Sequence, residues 1–108
     1  MPRQITVQQL KARLDTDAPV YLVDVRQPWE HETAALPGSV LLPLDQLADR
    51  AGEVAPPEGV PVVVYCHHGI RSLTAAALLE RLGLPDVVSL AGGIDAWSLY
   101  VDDSVPRY

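Results

Sequence analysis

The chain holds a single cysteine, Cys66, which opens the run Cys66-His67-His68-Gly69-Ile70-Arg71-Ser72. The four residues before it, Val62-Val63-Val64-Tyr65, are β-branched or aromatic and predict a buried strand. Those after it, from Ser72 to Leu82, predict a helix. A thiol between a strand end and a helix start meets backbone N–H groups without helical partners and the positive end of the helix dipole. An anion is favoured at such a point. A thiolate is one, so the position suits a nucleophilic sulfur. Free cysteines are ordinarily small buried hydrophobes. The glycine and arginine that follow Cys66 argue instead for a reactive one.

Four residues separate Cys66 from Arg71. A cysteine loop built to enclose a tetrahedral phosphate is one residue longer. The shorter loop leaves a tighter bowl of amides, suited to a single sulfur atom carried on the cysteine. Gly69 allows the backbone angles such a turn demands. Arg71 supplies a permanent positive charge that pairs with an anionic donor or orients the loop, and Ser72 is a candidate helix cap. His67 and His68 are candidates to touch substrate or to tune the thiolate. A metal site with Cys66 is not expected, because adjacent residues rarely turn three side chains toward one ion and no second ligand cluster is present.

The elements that must hold this loop follow from the pattern. Thr6 and Gln9 form a capping box for a first helix whose Val7, Leu10 and Leu14 share a face. Pro19–Val25 reads as a strand and Arg26–Gly38 as a loop with a helical turn near Trp29–Glu32. Val40–Leu42 reads as a short strand and Leu44–Arg50 as a short helix. Pro56, Pro57, Gly59 and Pro61 mark a surface loop. In the helix after Cys66, Ala75, Leu78, Leu79 and Leu82 recur at helical spacing, and Gly83 is placed to cap its end. Asp86–Leu90 reads as another strand, and Gly92-Gly93 turns into a last helix through Trp97. Alternating strands and helices predict an α/β domain with a largely parallel sheet. Sites in such sheets form at the carboxyl ends of strands. That end is where Cys66 and Asp24-Val25-Arg26 belong. Asp24 reads as a structural partner for an arginine, Arg26 as a second candidate to face the pocket, Glu30 as structural and Trp97 as core.

At 108 residues, one domain spanning 1–108 is expected. Fourteen acidic residues against 8 basic ones give a net charge of −6, which argues against nucleic acid as a partner. No apolar run approaches the roughly 20 residues of a membrane span, and Met1-Pro2-Arg3-Gln4 lacks the apolar core of a signal peptide. One cysteine forms no internal disulfide, so a free thiol in a reducing, cytoplasmic setting is expected.

Four stretches, in order, resemble the rhodanese family of sulfurtransferases: Asp24-Val25-Arg26 with Pro28 and Glu30; Leu36-Pro37-Gly38-Ser39; the loop Cys66 to Arg71; and Leu90-Ala91-Gly92-Gly93-Ile94-Asp95-Ala96-Trp97. The resemblance covers nearly the whole chain. It implies a three-layer α/β fold, a largely parallel central sheet with helices on both faces. It also implies a persulfide on Cys66, filled by thiosulfate or a persulfide and emptied by cyanide, a thiol or a protein acceptor, with Arg71 adding charge. His67, His68, Gly69, Ile70, Arg71 and Arg26 would then face the substrate, and no metal or organic cofactor is required. An alternative use of the same thiol is a persulfide carrier that serves one protein partner and turns over small donors poorly. The family often has Gly-His-Ile before its Pro-Gly. This chain has Ala34-Ala35-Leu36, which bears on substrate preference. The ending Asp103 to Tyr108, with the His67-His68 pair, resembles a subset of rhodanese modules that occur alone or fused to enzymes activating ubiquitin-like sulfur carriers.

Overall fold

The computed structural model of the protein describes residues 2–108. Five strands, β1 (Arg3–Ile5), β2 (Tyr21–Asp24), β3 (Val40–Leu41), β4 (Val62–Tyr65) and β5 (Val87–Leu90), form one sheet in the order β1-β5-β4-β2-β3. Every pairing is parallel. Four α-helices connect them, α1 (Val7–Asp15), α2 (Pro28–Thr33), α3 (Leu47–Arg50) and α4 (Ile70–Arg81), and α5 (Gly93–Tyr100) follows β5, with single 3₁₀ turns at Leu44–Gln46 and Ala51–Glu53 on either side of α3. Among the described residues no helix is long and apolar enough to cross a membrane.

Strand β4 lies mid-sheet, and all four of its residues are buried. Side chains alternate across a strand, so the sheet has two apolar faces and a core on each. Val62 and Val64 join Val23, Val25, Leu47, Ala75, Ala76 and Leu79 beneath α3 and α4. Val63 and Tyr65 join Leu22, Leu90, Val7, Leu10, Ile94 and Trp97 beneath α1 and α5. The helices therefore flank both faces, as parallel strands buried on both sides require.

The capping box at Thr6 forms as its spacing predicts, with Thr6 Oγ1 accepting from Gln9 N–H and Gln9 Oε1 accepting from Thr6 N–H. Gly83 sits at φ 104° and closes α4 with a pair of bonds, its own N–H to Glu80 O and Leu84 N–H to Leu79 O. Several expectations are corrected. Strand β1 precedes the first helix; three residues on a half-exposed sheet edge carry no readable alternation. The turn near Trp29 is a full helix, entered through Pro28 and held by Gln27 N–H donating to Glu30 Oε1. Leu82 lies beyond the end of α4 and is 55% exposed, so it leaves the core stripe that Ala75 and Leu79 share.

Trp97 is 6% exposed and packs among the β4, β5 and α1 side chains. Trp97→Ala is expected to cost about 3–5 kcal/mol. The check is a urea titration in which the midpoint falls and the slope is kept.

Candidate active site

The register aligns Asp24 with Tyr65 and Val64 with Ser89, so β2, β4 and β5 end together. Three loops converge there: Val25-Arg26-Gln27, the cysteine loop and Ala91-Gly92. Cys66 follows β4 directly and is buried. Its Sγ accepts the N–H of Gly69 at 3.1 Å and that of Ser72 at 3.4 Å, and lies 3.5 Å from Ser72 Oγ. Both donors belong to the first turn of α4 or its cap. The helix starts at Ile70, two residues earlier than the sequence suggests, with Gly69 as the cap at φ 96°. Ser72 is thus inside the first turn and does not cap it. Its hydroxyl bonds Ser89 Oγ at 2.7 Å and closes the floor beneath the sulfur. Two N–H donors and an aligned helix dipole converge on one sulfur, an arrangement that favours negative charge there.

The loop is held from below by α5. Ile94 N–H donates to Cys66 O at 2.9 Å and Asp95 N–H to His67 O at 3.1 Å. A helix start usually offers such donors to an anion or a cap; here they fasten the loop backbone. Contact this close leaves no room for a side chain at Gly93, where a Cβ would lie 2.4 Å from His67 O and 2.5 Å from Cys66 O. That is the physical content of the Gly92-Gly93 pair. The Leu36–Ser39 stretch has a comparable task. Tyr65 Oη accepts Leu36 N–H at 3.1 Å and bonds Ser39 Oγ at 2.7 Å, pinning the Arg26–Ser39 connection to the end of β4. Burial, then the Asp24 charge, pushes the Tyr65 hydroxyl up to about 12, so it stays protonated.

The structure brings Cys66, His67, His68, Gly69, Ile70 and Arg71 together as the loop and its helix start. Ile70 is 76% exposed at the rim, and His68 is exposed, with Nδ1 at 3.8 Å from Asp95 Oδ2. His67 is stacked between the rings of His68 and Tyr108, each centroid 4.0 Å away. Burial, together with the neighbouring His68, holds it below the usual histidine range, so it is neutral at neutral pH and adds no charge beside the sulfur. Arg71 does not stand free. Its Nη1 and Nη2 grip Glu30 Oε1 and Oε2 at 2.7 and 2.9 Å. Glu30 is therefore structural in the sense that it fastens the loop's arginine to α2.

Arg26 is a correction. It does not face the pocket: its side chain is wholly buried and bound to Asp24 through Nε at 2.8 Å and Nη2 at 2.7 Å. Ala34 O and Tyr108 Oη take two further donors at 2.6 Å each. His31 Nδ1 adds a second partner for Asp24 at 2.8 Å. A residue with this many buried partners positions neighbouring chain and has no donor turned to a ligand at the loop.

Two participants escape a reading of the sequence. Ser89 lies mid-strand with no motif to mark it. Tyr108 lies 42 positions after Cys66 by the numbering, yet its hydroxyl donates to Glu30 Oε2 at 2.7 Å and its ring covers His67. Burial first, then the Glu30 charge, pushes Tyr108 up to about 12, opposed by Arg26. A hollow of about 590 Å³ lies elsewhere, by the amino ends of β4 and β5 among Arg3, Gln9, Arg13 and Asp86. No group of three His, Cys, Asp or Glu among the described residues is arranged to hold a metal.

A parallel α/β sheet with a thiol at a helix-capped strand end defines the class. Comparison with known families is concordant: the Rhodanese-like domain model matches residues 6–100, and the chain belongs to that family. A sulfurtransferase of Allochromatium vinosum is 37% identical over 98 residues, covering 91% of this chain and 90% of that protein. The probable adenylyltransferase/sulfurtransferase MoeZ of Mycobacterium tuberculosis is 33% identical over 104 residues, 96% of this chain. The match spans about a quarter (26%) of that longer relative. Among solved structures, a rhodanese-like domain protein of Staphylococcus aureus superposes with a TM-score of 0.81 at 29% identity, covering 98% of each chain.

Gly93→Ala must push the cysteine loop off α5. It is expected to reduce sulfur transfer by more than about tenfold while the protein remains folded by circular dichroism, since the clash is with backbone that can move only by displacing the site. The Arg71 guanidinium holds the Glu30 carboxyl down at about 2, below its ordinary 4.5. A carboxyl lowered by folding stabilises the native state above its unfolded value, and that contribution is lost as pH falls through the folded one. The stability advantage of the wild type over Glu30→Gln is therefore expected to shrink from about pH 4.5 downward and to vanish near pH 2, read from denaturant midpoints across that range.

Proposed function

We propose that this protein moves a sulfane sulfur from a persulfide or thiosulfate donor to a thiophilic acceptor through a persulfide on Cys66. The observation that carries the reading is the placement of Cys66 Sγ at the end of β4 with the Gly69 and Ser72 N–H groups aimed at it. In the first step the Cys66 thiolate attacks the outer sulfur of a donor R–S–SH. A Cys66 S–S bond forms, the donor's S–S bond breaks, and the electron pair leaves with RS⁻, which takes a proton from water. Thiosulfate reacts in the same sense, with sulfite as the leaving group. In the second step an acceptor thiolate, or cyanide, attacks the outer sulfur of the persulfide, and the electron pair returns to Cys66. Electrons balance in each step without an added oxidant.

The chain's own contribution is electrostatic and geometric. A negative charge on the Cys66 sulfur begins the first half-reaction and ends the second, and fixed N–H donors there need no reorganisation as the charge arrives. Four residues between Cys66 and Arg71 make a short loop, suited to a single sulfur atom carried on the cysteine. The chain's single cysteine cannot resolve its own persulfide, so the acceptor, a small thiol or a protein thiol, comes from outside it. A reducing, cytoplasmic setting fits a thiol that must stay free.

Intact mass spectrometry after exposure to a sulfur donor tests the reading. The wild type is expected to gain the mass of one sulfur atom, to lose it on addition of cyanide, and Cys66→Ser to gain nothing. Failure of the wild type to take up sulfur from thiosulfate and from a persulfide alike would overturn the proposal.

A further inference from the structure

The loop's arginine is the one cation within the Cys66–Ser72 run, and its charge is already matched. Glu30, whose side chain is 5% exposed, meets Arg71 through both oxygens at 2.7 and 2.9 Å. Tyr108 donates a third bond to the same carboxylate, and Gln27 N–H a fourth. A carboxylate so furnished is an ion at neutral pH and is anchored there. The other two arginines around the mouth are matched in the same way. Arg26 and His31 share Asp24. Arg107 lies on Asp95 at 2.9 Å, with His68 beside the same carboxylate. His67 is neutral. What faces a donor is therefore a set of backbone N–H dipoles beside guanidinium groups already paired with carboxylates, on a chain whose net charge is −6.

This matters differently for the two donor classes. Thiosulfate is a dianion approaching a thiolate, and bringing those charges together without a countercharge is unfavourable even in a well-screened site. A persulfide in its protonated form brings no charge to its outer sulfur, so amide dipoles suffice.

We infer that Glu30 sets donor specificity, closing off the Arg71 charge so that the site takes sulfur from persulfides in preference to thiosulfate. The inference rests on the Cys66 persulfide reading above and adds the donor's chemical class to it. Glu30 touches neither sulfur in this arrangement. It acts through Arg71, and is a positioning and charge-compensating residue.

The experiment measures the rate of Cys66 persulfide formation by quenched intact mass, with thiosulfate and with an alkyl persulfide lacking carboxylates as the two probes. Glu30→Gln keeps the shape and one hydrogen bond to Arg71 but removes the compensating charge. The ratio of thiosulfate to persulfide rate constants is expected to rise about tenfold or more in Glu30→Gln. A ratio unchanged or lowered would overturn the inference while leaving sulfur transfer intact. Wild-type protein supplies an independent measurement that needs no variant to fold. Its thiosulfate rate is expected to stay level or rise as sodium chloride is increased, because salt screens repulsion; a rate that falls with salt reports attraction by an open cation and would overturn the inference. If neither probe loads Cys66 in the wild type, the sulfur-transfer reading itself fails and this inference with it.

Discussion

The arrangement of the active loop depends on two backbone hydrogen bonds, from Ile94 and Asp95 N–H to the carbonyls of Cys66 and His67. They turn the start of one helix into a seat for the loop that begins another. Their geometry requires Gly93 at a positive φ of 62° with nothing beyond Cα, because the loop carbonyls occupy the space where a Cβ would be. With those carbonyls held from below, the N–H groups on the other side of the loop are left pointing at the sulfur. The site is thus built from main chain, whose dipoles are fixed once the fold forms, and the side chains around it mainly hold that main chain in place.

The second supporting layer is a buried charge cluster. Asp24 and Arg26 are both completely buried, and removing two such ions from water costs several kcal/mol each before their attraction is counted. Pairs of this kind contribute little net stability. What this one does is specify position: Arg26 joins the end of β2, the Ala34 carbonyl after α2, and Tyr108, between the faces of Tyr65 and Tyr108 at 5.4 and 5.6 Å. Apolar replacements would fill the volume but would leave the connection after β2 without a fixed path. The path matters because α2 carries Glu30, and Glu30 holds Arg71.

Charge at the site is consequently arranged in closed pairs, with positive character coming from amides and a helix dipole and not from a free guanidinium. Such a site stabilises a small, localised negative charge on one sulfur well. It offers less to a bulky polyanion, which needs countercharge at several points.

Much of this was legible in the residues alone. The alternation of apolar strands and amphipathic helices, the capping box at Thr6, the glycine closing α4 and the thiol at a strand end are local features, each set by a few neighbouring residues and by backbone stereochemistry. The placement of Cys66 belongs with them, because the residues around it define its strand, loop and helix. Other features were decided only in three dimensions. Arg26 turned inward because Asp24, Ala34 O and Tyr108 surround it, and no spacing rule brings residue 108 to residue 26. Arg71 lost its freedom to Glu30, 41 positions away. Strand β1 formed because β5 offered an open edge, not because three half-exposed residues demanded it. Short-range sequence places the thiol at the end of a strand and the start of a helix. Which charges are left to meet a substrate depends on long-range pairing, and only the folded chain sets that.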